Sequence, residues 1–161
     1  LEVFDPTWFA TPEEIPGKLR LQTTVKADAR LQAATDAYLE FLERGGRVLY
    51  EDLRPGLLRN VLIRGVPILT GLSATYLYGS AREIDEDGRL RSDDVAGVPT
   101  GHFVVLCGWE EGTSLIGVAD PLLEKPRYRG HQYQAPADRV LPAILLGAVT
   151  YDANLLVVEP A

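Results

Sequence analysis

His102 and Asp120 are the two side chains of this sequence whose types and spacing can move a proton between them. They stand at the outer ends of two apolar runs, His102 to Trp109 and Ser114 to Ala119, which flank the break Glu110-Glu111-Gly112. Three residues with glycine in the left-handed third position commonly close a hairpin. With residues 110–112 as the loop, Trp109 pairs with Thr113, Val104 with Val118 and His102 with Asp120. Directly opposed side chains on one face lie roughly 5 Å apart. A carboxylate placed there holds an imidazole in one tautomer and stabilises it once protonated. Gly101 leaves room for a close approach just before the histidine. The spacing alone leaves a functional pair and a structural pair equally open.

Hydrolysis would also need a nucleophile. Cys107, the only thiol, lies five residues beyond His102 on the same strand. Alternation puts it on the opposite face, and the rise along a strand puts it roughly 16 Å away. It reads as a buried small hydrophobe. Ser73, Ser80, Ser92 and Ser114 lack the Gly-x-Ser-x-Gly elbow of serine hydrolases, and Ser73 reads as structural. Asp85-Glu86-Asp87-Gly88 and Asp93-Asp94 lack the spaced ligands of a calcium loop and read as solvated. One cysteine and two histidines are too few for a structural zinc site, and no cofactor is expected. His131 reads as a surface histidine, while Tyr76 and Tyr78 either line a cleft or pack.

The elements that must position these residues follow from periodicity and punctuation. The aromatic opening, Leu1 to Phe9, reads as an extended segment that packs down. Thr11-Pro12-Glu13-Glu14 is a helix start. Residues 28–43 form the clearest helix, with Leu31, Ala34, Tyr38, Phe41 and Leu42 on one side and Gly45-Gly46 as the stop. Val48 to Tyr50 suggests a short strand. A second helix covers Leu53 to Ile63, with Leu57, Leu58, Val61 and Leu62 buried, and ends at Gly65. Val66 to Leu72 is a core strand, and Arg82 to Pro99 a long surface loop. The hairpin is apolar on both faces and belongs in the middle of a sheet. Leu122 to Tyr133 is mixed, residues 139–146 are an apolar helix, and Asn154 to Val158 is the last strand. Helices first and mostly adjacent strands afterwards argue for an α+β fold with an antiparallel sheet.

The length of 161 residues suits one domain with a sizeable core. A net charge of −7 argues against a nucleic-acid partner. No apolar run approaches the roughly 20 residues of a membrane span, and no secretory leader opens the sequence. A single cysteine suits a reducing, cytoplasmic compartment. The absence of methionine and the start at Leu1 point to a fragment or a processed form.

Gly101-His102-Phe103-Val104-Val105-Leu106-Cys107-Gly108-Trp109 followed by Val118-Ala119-Asp120-Pro121 resembles the second half of cysteine peptidase family thirty-nine. These papain-like proteins remove double-glycine leader peptides from bacteriocins during export. Gly65-Val66-Pro67-Ile68-Leu69 is similar to the strand that precedes the histidine in that family. The likeness covers roughly residues 57–122. It implies a papain-like α+β fold with N-terminal helices packed on a central antiparallel sheet, His102 as general base and Asp120 as its orienter. Thr100, Gly101 and either Trp109 or Tyr78 would shape the cleft, and the partner would be a peptide or protein substrate. The family carries its cysteine near the start of the domain, at a helix N-terminus that lowers the thiol's pKa. No cysteine occurs between Leu1 and Arg64, and Gln22 and Gln32 precede none. The expectation is therefore a peptidase-like domain that lacks an upstream, nucleophile-bearing segment. The alternatives are a retired, peptide-binding module and a related acyl transferase or amidase.

Overall fold

The computed structural model describes residues 3–147 and 154–159. The chain divides between Asp52 and Leu53 into two compact units.

The first unit is helical. Asp5 accepts the Thr7 amide at 2.8 Å and starts a 3-10 turn at Pro6–Ala10, where the sequence suggests an extended segment. Proline at the first helical position and an aspartate cap before it favour the turn. Phe4 packs edge-on against Tyr38, and Phe9 stacks on Tyr50. A second short turn, Pro12–Glu14, runs into α1 (Ile15–Val25). Asp28 caps α2 (Ala29–Glu43) through the Leu31 amide at 2.8 Å. The helix ends as expected at Gly45, where φ is +87°. Gly46 follows against the Phe41 ring, where a Cβ would sit 2.5 Å from the ring carbons. Ile15, Leu19 and Leu31 are buried here. Val48 to Tyr50 is irregular, so the short strand expected there is absent.

The second unit is an antiparallel sheet with helices on one face. It contains α3 (Pro55–Leu62), β1 (Ile68–Ser73), α4 (Ala74–Tyr78), β2 (Glu83–Glu86) and β3 (Arg89–Ser92), then β4 (Gly101–Glu110) and β5 (Leu115–Ala119). β6 (Gln132–Pro136), α5 (Ala137–Gly147) and β7 (Leu155–Val157) complete it. The strand order β6-β5-β4-β1-β7 makes β4 the middle strand, as its apolar pattern predicts. Leu58 and Leu62 of α3, Leu77 of α4 and Val140 and Ile144 of α5 pack with Ile68, Leu72, Val104, Leu106, Ile116 and Val118 in one core.

Two segments differ from the sequence reading. Residues 82–99 are not a structureless loop, because β2 and β3 form a hairpin turned by Asp87-Gly88, both at positive φ. An Asp-Gly pair is a strong hairpin signal; charge on every neighbour hides the alternation. Residues 132–136 form an edge strand before α5, with Tyr133 and Ala135 inward of the exposed Gln132, Gln134 and Pro136.

Candidate functional site

The register of the central hairpin decides which side chains meet. Glu110 pairs with Leu115, Trp109 with Ile116 and Gly108 with Gly117, so the loop has four residues, 111–114, where three were expected. Gly112 and Ser114 take the positive φ values. Continued without a break, this ladder would set Asp120 opposite Val105, on the face away from His102. A bulge at Cys107 intervenes: beyond it Leu106 pairs with Val118 and Val105 with Ala119. One extra residue restores the alternation. Asp120 then lies diagonal to His102 on the inward face rather than opposite it, still within reach.

His102 Nε2 stands 3.0 Å from Asp120 Oδ1. A carboxylate only accepts, so Nε2 carries the hydrogen, and in the neutral ring Nδ1 is the acceptor. The His102 side chain is 18% exposed and that of Asp120 is fully buried. Asp120 is held from four directions. Oδ1 also accepts the Leu122 amide at 2.9 Å, while Oδ2 accepts the hydroxyls of Tyr78 at 2.7 Å and Tyr133 at 2.8 Å. Tyr78 comes from α4, which Ser73 caps by accepting the Tyr76 amide at 3.3 Å. Tyr133 comes from β6, where it pairs with Val118. Lys125, itself buried, donates to the Leu122 and Gly130 carbonyls and brings its ammonium to 3.8 Å from Oδ2 and 4.8 Å from the Tyr133 ring centre.

These contacts set the charges. Burial pushes the Asp120 carboxyl up, but hydrogen bonds from Tyr78, His102, the Leu122 amide and Tyr133 outweigh it and hold the group below the ordinary carboxylate value. Burial, then the bond to Asp120, raises both phenols far above theirs. Asp120 is thus an anion and both tyrosines are neutral donors near neutral pH.

The structure brings together the two residues singled out in the sequence and adds three. Tyr78 is a ligand of Asp120 rather than only a cleft wall, and its ring meets His102 edge-on at 6.1 Å. Tyr133 carries a signal in the alternation of 132–136, whereas Lys125 carries none. His131 is exposed, yet its Nδ1 is 3.0 Å from the Asp120 carbonyl, and its own carbonyl accepts the Asp120 amide. Trp109 is seven residues from His102 along β4, roughly 23 Å by strand rise, and does not shape the cleft. Cys107 is exposed, not buried: it stands beside Gly117 on the outward face that it shares with Phe103, away from His102. Ser73 is spent on its cap, and Thr100 donates to Glu83 at 2.8 Å. Among the described residues no thiol or hydroxyl bonds to His102 Nδ1, and no group of three metal-ligating side chains forms. No described helix is long and apolar enough to cross a membrane. No family model, curated protein or solved structure matches the chain.

Proposed function

We propose that this chain carries the general base and orienting carboxylate of a cysteine-peptidase-like centre, on a papain-like scaffold, acting on a peptide or amide bond. The observation that carries the reading is the fixed Asp120 anion on His102 Nε2, which leaves Nδ1 free as a base on a partly exposed ring. In such a reaction Nδ1 takes the proton of an attacking thiol as the sulfur–carbon bond forms. It returns that proton to the departing amine as the carbon–nitrogen bond breaks, and water then releases the acyl group. Cys107 does not supply the thiol, since it lies on the other face.

The test uses the encoded protein, with whatever the reading frame contributes on either side of residues 1–161, assayed against peptide substrates beside its His102→Ala variant. Hydrolysis that falls about a hundredfold or more in the variant supports the reading. Hydrolysis that ignores the substitution, or an encoded protein without a second cysteine, overturns it. Acyl transfer to an added amine in place of hydrolysis would identify a transferase with the same base. A second reading, a peptide-binding module with a retired centre, is favoured by the lack of any nucleophile on Nδ1 among the described residues. Peptide binding without turnover would establish it.

A further inference from the structure

Five arginines of this acidic chain, Arg20, Arg44, Arg59, Arg64 and Arg91, each pair with a glutamate. Arg82, Arg127 and Arg139 form no ion pair among the described residues; Arg127 and Arg139 flank Gly79, the left-handed residue that ends α4, and Arg82 lines the same cavity as Gly79. A Cβ built on Gly79 would lie 3.5 Å from Arg139 Nη2 and 3.7 Å from Arg127 Nη2, so the two guanidiniums stand within about 7 Å of each other beside a position without a side chain. Arg139 spends its Nε and Nη2 hydrogens on the Leu77 and Tyr76 carbonyls, and Arg82 donates to the carbonyls of Asp94 and Val95. Bonds to carbonyls satisfy hydrogens but leave the positive charge unneutralised. Arg127 is exposed and has no hydrogen bond or ion pair with any described residue. Arg82, Arg139, Gly79, Thr75 and Tyr76 line a cavity of about 360 Å³.

The acids nearby do not close the site. Asp138 is exposed and pairs with neither arginine, although its charge reaches Tyr128 together with theirs. Asp93 lies in the field of Arg82, but its carboxylate is taken up by the amides of residues 95 and 96 and by Arg91. The Tyr128 phenol, under the influence of Arg139 and Arg127, is buried without a hydrogen-bond partner among the described residues. Such a group ordinarily finds one.

We infer that this corner of the second unit is a binding site for a small oxyanion, a carboxylate or a phosphate, held between Arg127 and Arg139. Charge-assisted N–H···O bonds of about 2.8 Å from both guanidiniums to one anion are compatible with a separation of at most about 7 Å. The anion would relieve the repulsion of two cations that pair with no described carboxylate, and Gly79 leaves it room. The site does not depend on the peptidase reading, and its test involves no turnover.

The backbone amide of Gly79 and the arginine Nε–H groups are followed by NMR at constant ionic strength, which removes the effect of general screening. Three probes are titrated: inorganic phosphate, N-acetylglycine and the uncharged N-acetylglycinamide. The expected result is saturable binding at about millimolar concentration, seen at Gly79, Arg127 and Arg139 and absent with the amide. Arg127→Ala, which removes no hydrogen bond or ion pair among the described residues, should weaken it about tenfold or more. Arg89→Ala, on the exposed strand β3, should not. Saturation by N-acetylglycine alone would assign the site to a peptide carboxylate, and by phosphate alone to a phosphorylated ligand. Shifts that never saturate, or that persist unchanged in Arg127→Ala, overturn the inference.

Discussion

On its inward face the five-stranded sheet sets Ile68, Leu72, Val104, Leu106, Ile116 and Val118 into the core, then ends in His102, Asp120 and Tyr133. On its outward face the same strands show Leu69, Phe103 and Cys107 to solvent. Backbone pairing is common to both faces, so it cannot be what makes one of them a site. The inward polar groups have been taken out of water and must satisfy one another: one carboxylate accepts an imidazole, two phenols and an amide. Outward side chains answer only to solvent. Desolvation followed by complete mutual satisfaction turns an ordinary aspartate into a fixed anion, and the bulge at Cys107 decides which face receives it.

Removing the charge is the most drastic way to break this contrast. Asp120→Asn keeps the size, but its amide hydrogens would meet the Tyr78 and Tyr133 hydroxyls or the His102 N–H. It also leaves Lys125 buried without a counter-charge. The expected loss is about 3–5 kcal/mol of unfolding free energy, together with release of the His102 tautomer. Denaturant titration and histidine side-chain NMR would measure both; a variant within about 1 kcal/mol of the parent would sink the account of the network.

Single donors should matter less. Tyr133→Phe and Tyr78→Phe each delete one hydrogen bond to a charged acceptor, worth about 1.5–3 kcal/mol, while keeping the ring. Neither should release His102, because the remaining donors still hold Asp120. If either variant destabilised the protein as much as Asp120→Asn, the carboxylate would not be the centre of the network.

The pH dependence sharpens the same contrast. Asp120 has a folded-state pKa below its unfolded value of about 3.9. Its contribution is therefore present above that pH and is lost as pH falls through the depressed folded value. The two phenols are raised, so theirs is complete below about pH 10 and is lost as pH climbs toward the folded values. Denaturant melts should show the gap between parent and Asp120→Asn constant near neutrality and shrinking only in strong acid. A gap that closed near pH 6 would point to a different titrating group.

Much of this arrangement is visible in the residues, and the exceptions have physical causes. Apolar periodicity marks α2, α3, β1 and the central hairpin, because those elements bury one side. It misses β2 and β3, which bury little and are held by turn chemistry at Asp87-Gly88. His102 and Asp120 stand out because they are titratable groups at the ends of apolar runs. Tyr133 shows only the alternation of its strand and Lys125 shows nothing, since their role arises only when β6 and the loop before it fold back on β5. The bulge is invisible because it changes the count of residues in one strand and leaves the pattern of types intact. Counting from the loop gives the right pair through the wrong register. The expected register and the observed one differ by two residues at the site end, which preserves the face.

That parity yields the smallest expected effect. Cys107 is the one residue of β4 without a partner on β5 between Val105↔Ala119 and Glu110↔Leu115, and the β1 pairing stops at Leu106. Deleting Cys107 would make the ladder continuous while leaving every named pair intact, so His102 and Asp120 should remain on the inward face. The lost local twist opposes the gain from no longer ordering an unpaired residue, and the net change should stay within about 2 kcal/mol. Thermal or denaturant melts check the stability, and the His102 side-chain NMR signals check the pair. A deletion variant that folds but frees His102 from Asp120 would show that the bulge positions the aspartate by its twist, and not by its count alone.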